Sequence, residues 1–208
     1  SSSAASDVYK RQPYELNISW WSAMEDSGRD SNRFQYERFL LTQLLVMSLK
    51  GVPAFYLPAL LASENDIKSF SMTGQRRDLN REKFKSEKLS ALFRNPESNA
   101  NKNLRYLRKA MDVRASLSQF HPQSDMECLS KNRSDIVVIK RGVGLKAIFT
   151  IHNMTENKIN YQLSDPAIPK LINNDINMRD YLTSNKYNLN NIELNPFQVM
   201  WLGLLIDD

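Results

Sequence analysis

The chain has 208 residues, of which 41% are hydrophobic and 25% charged, with 6 Gly and 8 Pro, the composition of one or two globular domains and too apolar for wholesale disorder. Lys and Arg total 28 against 23 Asp and Glu, a net charge of +5, but the cations are spread along the chain and interrupted by acids, which argues against a nucleic-acid partner. Cys128 is the only cysteine, so a disulfide-stapled scaffold is excluded and a reducing cytoplasm is the simplest compartment.

The first twelve residues, SSSAASDVYKRQ, have neither an initiator Met nor the apolar stretch of a signal peptide. They read as translated sequencing-adapter sequence, so Ser1–Gln12 is expected to be a non-native leader and the protein proper to enter at Pro13. From Phe34 to Leu49 the residues Phe34, Phe39, Leu40, Leu41, Leu44, Leu45, Val46, Met47 and Leu49 cover nearly every side of a 3.6-residue helix, which predicts a buried one. Lys50 and Gly51 end it. Val52 to Leu57 is then an apolar run of strand length, with Pro53 tolerable only near its start, and helix followed by buried strand predicts an α/β layer. Gln43, Ser48, Lys50, Pro53 and Pro58 interrupt the apolar zone too often for a membrane-spanning helix, so no membrane partner is expected.

Glu64 to Arg81 is polar and turn-rich and reads as a long functional loop after that strand. Leu89–Phe93 and Leu104–Leu117 return to helical spacing, with Leu104, Leu107, Met111 and Ala115 on one stripe. Beyond Phe120 the period changes to about 2. Asp135–Arg141, Leu145–Asn153, Lys158–Leu163 and Phe197–Leu204 predict a separate antiparallel β module. Leu171 to Asn195 holds Asn173, Asn174, Asn185, Asn188, Asn190 and Asn191, which predicts turns and irregular connections.

No metal or cofactor is implied. His121 and His152 stand 31 positions apart with no second Cys or His beside either, so each reads as structural. Two segments could carry chemistry. In Thr73–Arg81, Gly74 permits a sharp turn and the guanidinium forks of Arg76, Arg77 and Arg81 can hold carboxylate, phosphate or sugar hydroxyls; the competing reading is a solvated, salt-bridged face. In Pro13–Trp21, aromatic faces beside Glu15 and Asn17 could line a sugar site, although Trp20 and Trp21 equally suit packing.

Taken together, PYELNISWWSAMED, RFLLTQLLVMSLKGVPAFYLPALLASENDIKSF and TGQRRDLNREKF resemble, in order and spacing, the C-terminal third of the sucrose phosphorylase group in the α-amylase superfamily. The closing NPFQVMWLGL resembles that family's final strand. The resemblance implies a (β/α)8 barrel, of which residues 13–122 are the C-terminal part, followed by an antiparallel β domain at 123–208. It implies that Phe34–Leu49 is the seventh barrel helix and Val52–Leu57 the eighth strand, with substrate handled on the C-terminal face of the strands.

The chemistry it implies is retaining glucosyl transfer from an α-glucoside to inorganic phosphate, giving glucose 1-phosphate, with α-glucoside and phosphate as partners and no cofactor. The nucleophile, the general acid/base and the transition-state carboxylate all lie upstream in the family, with no counterpart before Pro13, so the chain alone is expected to be inactive. Tyr14 and Glu15 match a loop that shapes the acceptor site, and Arg77 matches an arginine associated with acceptor or phosphate recognition. Asp78 and Asn80 shape its loop. Glu15 stands where sucrose phosphorylases commonly have Gln, and phosphorylases of glucosylglycerate, glucosylglycerol or phosphorylated sucrose share the YELN form, so the acceptor stays open. A hydrolase of the same superfamily, or a non-catalytic carbohydrate-binding β module, are the alternatives.

Overall fold

An apolar helix without a polar stripe persists only where neighbours cover all its sides. In the computed structural model, which describes residues 5–6, 13–25, 33–164 and 177–205, the helix Gln35–Ser48 has that property, with Glu37 its one exposed residue. The chain divides into two compact units, Ser1–Phe39 with Phe55–Tyr106, and Leu40–Ala54 with Leu107–Asp208. Of the expected leader only the backbone of Ala5–Ser6 is among the described residues.

In the first unit, strands β1 (Ala5–Ser6) and β2 (Pro13–Glu15) pair antiparallel. They precede helix α1 (Trp20–Ala23) and the first turn of α2 (Gln35–Ser48). Helices α3 (Leu57–Leu60), α4 (Ile67–Thr73) and α5 (Ser86–Arg94) follow, and then α6 (Asn99–Ser116) begins. Trp21 packs edge-on against Phe39 with ring centroids 5.3 Å apart, and with Ala59 and Ala62 they form the core of this unit. Buried Asn103 donates from Nδ2 to the carbonyls of Ala59 at 3.2 Å and Leu60 at 2.8 Å, satisfying the orphan acceptors at the end of α3.

Three local expectations are corrected here. The run Val52–Leu57 is not a strand: residues 52–56 have no ladder partner among the described residues, and Leu57 instead opens α3, with Pro58 in its first turn. A strand exists through its neighbours' hydrogen bonds. Without them the segment leaves Val52 80% and Tyr56 56% exposed. Within the polar stretch 64–81, Asp66 accepts the Ser69 amide at 2.9 Å and Gly74 closes the other end in the left-handed region at φ 67°, so capping at both ends makes the helix α4 out of what reads as loop. In α6 the buried stripe is Ala100, Asn103, Leu107 and Ala110, rotated from the expected one so that Ala115 is exposed.

The second unit is built on an antiparallel sheet. Its strands are β3 (Met126–Cys128), β4 (Ile136–Arg141), β5 (Ile148–Asn153), β7 (Asn177–Asp180), β8 (Lys186–Asn188) and β10 (Val199–Leu204), in the order β3-β4-β5-β10-β7-β8. Strands β6 (Ile159–Tyr161) and β9 (Ile192–Leu194) pair separately. Period-2 alternation sends Val138, Ile151 and Met200, which lie side by side in register, into one core with Ile192 and Leu194 of the small sheet. The opposite face turns Arg141, Thr150, His152 and Trp201 inward, all fully buried. The Asn-rich segment therefore holds three short strands where turns were expected; Asn173 and Asn174 lie outside the described residues.

That second face carries an unusual load of polarity. Arg141 donates from Nη1 to the Ser48 carbonyl at 3.2 Å and from Nη2 to the His121 carbonyl at 3.1 Å. Arg114 donates to the carbonyls of Met47 and Gly51, both at 2.9 Å, so two guanidinium groups occupy the negative end of α2. Both also lie 5.6 Å from the Phe120 ring centroid, and Phe120 packs on Trp201 at 4.7 Å.

His152 sits 3.2 Å from both the Ser48 hydroxyl and the Val137 carbonyl, a structural role as expected. Burial lowers its pKa to about 4, against the opposing pull of the Val137 and Leu44 carbonyls. The neutral ring faces the Val137 carbonyl with Nδ1 and the Ser48 hydroxyl with Nε2, while the Ser48 proton goes to the Leu44 carbonyl at 2.9 Å. A folded pKa below the unfolded value means the unfolded chain binds the extra proton first, so stability is intact above about 6.5 and falls as pH drops toward 4. The loss over that window is about 3 kcal/mol. Urea unfolding at pH 7 and pH 4.5 should show it in the wild type and not in His152→Gln; equal acid sensitivity in both would remove His152 as the cause.

Gly203 marks a close approach across the same sheet. A Cβ there would lie 2.7 Å from Tyr181 Cε2 and 2.9 Å from Ile148 Cδ1. Gly203→Ala should therefore cost about 1–3 kcal/mol of overpacking, read as a lowered thermal midpoint; an unchanged midpoint would mean the Tyr181 ring swings aside freely. Among the described residues no helix is long and apolar enough to cross a membrane.

Candidate functional site

The two segments that suggest chemistry in the sequence meet in the first unit. Leu16, Ile18 and Trp20 from one, Asn80 from the other, and Tyr56 and Pro58 line a single cavity of about 370 Å³. The tryptophan pair divides its labour: Trp21 is 5% exposed in the core, whereas Trp20, at 42%, stands at the cavity. Open aromatic faces beside an amide suit the faces and hydroxyls of a sugar ring. The Oδ1 atom of Asn80 is buried without a hydrogen-bond partner among the described residues.

Arg77 is exposed on the 3-10 turn Arg76–Asn80 that follows Gly74. Its neighbour Asp78 accepts the Thr73 hydroxyl at 2.6 Å, tying the turn to the end of α4. Tyr14 and Glu15 occupy β2, and their side chains lie outside the described residues.

Sequence reasoning missed what joins these parts. The amide of Ser19, the cap of α1, donates to Asn65 Oδ1 at 2.7 Å, and the amide of Asn65 donates to the Ser22 hydroxyl at 3.1 Å. One residue on, the Asp66 amide donates to the Leu79 carbonyl at 2.8 Å. Hydrogen bonds from the Ser69 hydroxyl and amide hold the Asp66 carboxyl below the usual carboxylate range, fixing it as the α4 cap. The available signal was Asp66 three residues before Ser69, a cap pattern inside a stretch otherwise read as loop.

A larger cavity, about 460 Å³, is lined by Glu64, Asp66 and Glu82 together with Lys68 and Lys88. Lys88 is paired with Glu82, and Arg77, Asp78 and Asn80 are not among the residues that line this cavity. Among the described residues no three His, Cys, Asp or Glu side chains gather as a metal site would.

Comparison with known proteins gives this geometry a context. No family model matches the chain. Glucosylglycerate phosphorylase from Escherichia coli (strain K12) is 24% identical over 192 residues, covering 92% of this chain and 32% of the relative. Sucrose phosphorylase from Streptococcus mutans is 24% identical over 125 residues, covering 60% of this chain and 23% of the relative. The chain is similar to the sucrose phosphorylase group of the α-amylase superfamily.

Solved structures agree on the fold. An AmyP variant in complex with maltotriose superposes with a TM-score of 0.66 at 13% identity, covering 88% of this chain and 37% of that one. An Anoxybacillus α-amylase gives a TM-score of 0.57 at 15% identity over 84% of this chain and 33% of that one. The fold is thus the C-terminal part of an α-amylase-type (β/α)8 barrel followed by a small antiparallel β domain. This sucrose phosphorylase-like chain spans about a third of the length of the curated relatives it matches.

Proposed function

We propose that the chain belongs to a retaining α-glucoside phosphorylase, which transfers a glucosyl group to inorganic phosphate and releases glucose 1-phosphate, in the cytoplasm. The observation that carries this reading is the similarity to a glucosylglycerate phosphorylase over 92% of the chain. In this reading phosphate attacks the anomeric carbon of a glucosyl-carboxylate intermediate, and the bond to the carboxylate breaks as the new C–O bond forms. The carboxylates that perform it belong to the part of the relatives outside this third.

This chain's contribution is on the acceptor side. Tyr14 and Glu15 shape the acceptor pocket, Arg77 holds phosphate or an anionic acceptor such as glycerate, and Asp78 and Asn80 hold the Arg77 turn. Residues 13–122 complete the barrel and residues 123–208 form the β domain. The deciding experiment is to assay the full-length protein on glucosylglycerate and on sucrose, with and without phosphate. Phosphate-dependent release of glucose 1-phosphate supports the reading; release of free glucose at a rate indifferent to phosphate identifies a hydrolase instead.

A further inference from the structure

We infer that Asn65 is a positioning residue that sets the Arg77 turn against the segment carrying Tyr14 and Glu15, an inference that rests on the acceptor-side reading above. Two adjacent residues grip two elements. Asn65 takes the Ser19 amide on its side-chain oxygen at 2.7 Å and gives its own amide to the Ser22 hydroxyl at 3.1 Å, while the Ser22 amide donates to the Ser19 hydroxyl at 3.1 Å. That closes a reciprocal clasp on the first turn of α1, four residues beyond Glu15. Ser19 and Ser22 are buried, at 4% and 8% exposure, so water replaces these bonds poorly if they are lost.

Asp66 then hooks the other element. Its amide bonds the Leu79 carbonyl at 2.8 Å, two residues after Arg77, and its carboxylate anchors α4 through Ser69. A single peptide step thus fixes the spacing between two loops that would otherwise vary independently. A misplacement of about 1 Å at such a remove costs on the order of 100-fold when the group must meet a transition state. Asn65 never needs to touch substrate to matter.

The test uses the full-length protein. Asn65→Ala should raise the KM for phosphate and lower phosphorolysis by about 10-fold while slow hydrolysis of the same glucoside changes by less than about 2-fold. Asn65→Asp, which keeps an oxygen for the Ser19 amide, should restore most of the loss. In an Arg77→Ala background Asn65→Ala should add little, because both act through one contact. Equal losses of phosphorolysis and hydrolysis, no rescue by Asp, or additivity with Arg77→Ala would each overturn the inference.

Amide exchange separates this from a failure of the functional reading. In Asn65→Ala the amides of Asp66 and Asp78, which bond Leu79 and Gln75, should exchange faster together with that of Ser19. Faster exchange at Ser19 alone would refute the coupling, whatever reaction the protein catalyses.

Discussion

Arg77→Ala in the full-length protein should depress phosphorolysis about 10- to 1,000-fold relative to hydrolysis of the same glucoside, the loss expected when one charge-assisted contact to a transition state is removed. The physical reason begins with Gly74. At φ 67° it reverses the chain where an L side chain would be strained, and it starts the turn that holds Arg77 exposed while Asp78 is committed to Thr73. A guanidinium presents a planar fork of donors. Phosphate that enters beside carboxylates brings negative charge toward negative charge, and a fixed cation offsets that repulsion more as the new bond forms. Lys, a point charge on a flexible stem, should recover only part of the activity. Steady-state kinetics with phosphate as the varied substrate reads the effect. Equal losses in phosphorolysis and hydrolysis would mean that Arg77 serves only to hold its own loop.

Asp180→Ala should destabilise the fold by about 3–5 kcal/mol, among the largest effects available to a single substitution outside the site. Asp180 is fully buried at the end of β7. Its Oδ1 accepts the amides of Leu182 at 3.1 Å and Trp201 at 2.9 Å, and its Oδ2 accepts the Thr183 hydroxyl at 2.6 Å. The backbone of the same residue bonds Ser184 at 2.7 Å and Asn185 at 2.8 Å, so the β7–β8 reversal and the adjoining strand β10 share one acceptor. Alanine would leave three donors without it, the amides of Leu182 and Trp201 among them in the interior. Asp180→Asn, which keeps one acceptor oxygen, should cost about half as much. Urea unfolding followed by tryptophan fluorescence measures both, and a loss below about 1 kcal/mol for alanine would show that water reaches the vacated donors.

The legibility of the chain follows the reach of its interactions. Residues 35–48 are visible as a buried helix because the signal is local and repeated, and β4, β5 and β10 are visible because each is a six-residue run rich in apolar and β-favouring residues. The segment Val52–Leu57 has the composition of a strand, yet whether it is one depends on partners that composition does not encode. Strand β3 has all three residues exposed, so it shows no alternation to find. In β7 the inward positions are Met178 and Asp180, and a buried aspartate reads as a turn residue. The site divides in the same way. Arg77 and the Trp20 segment stand out by residue type, whereas Asn65 matters through bonds to residues more than 40 positions away, which no local pattern announces.

The two guanidinium groups at the end of α2 bear on how portable the β domain is. Arg141 belongs to β4, but both carbonyls that receive its protons, Ser48 and His121, come from chain before residue 123. A piece cut at that point would carry a cation shaped for the interior with none of the acceptors that make its burial tolerable. Grafting this β domain onto another catalytic body would thus require the last turn of α2 and the residues around His121 to travel with it, or Arg141 to be exchanged for an uncharged side chain of similar volume. The boundary useful to a protein engineer is set by where a buried charge finds its hydrogen-bond acceptors, and it lies upstream of where the strands begin.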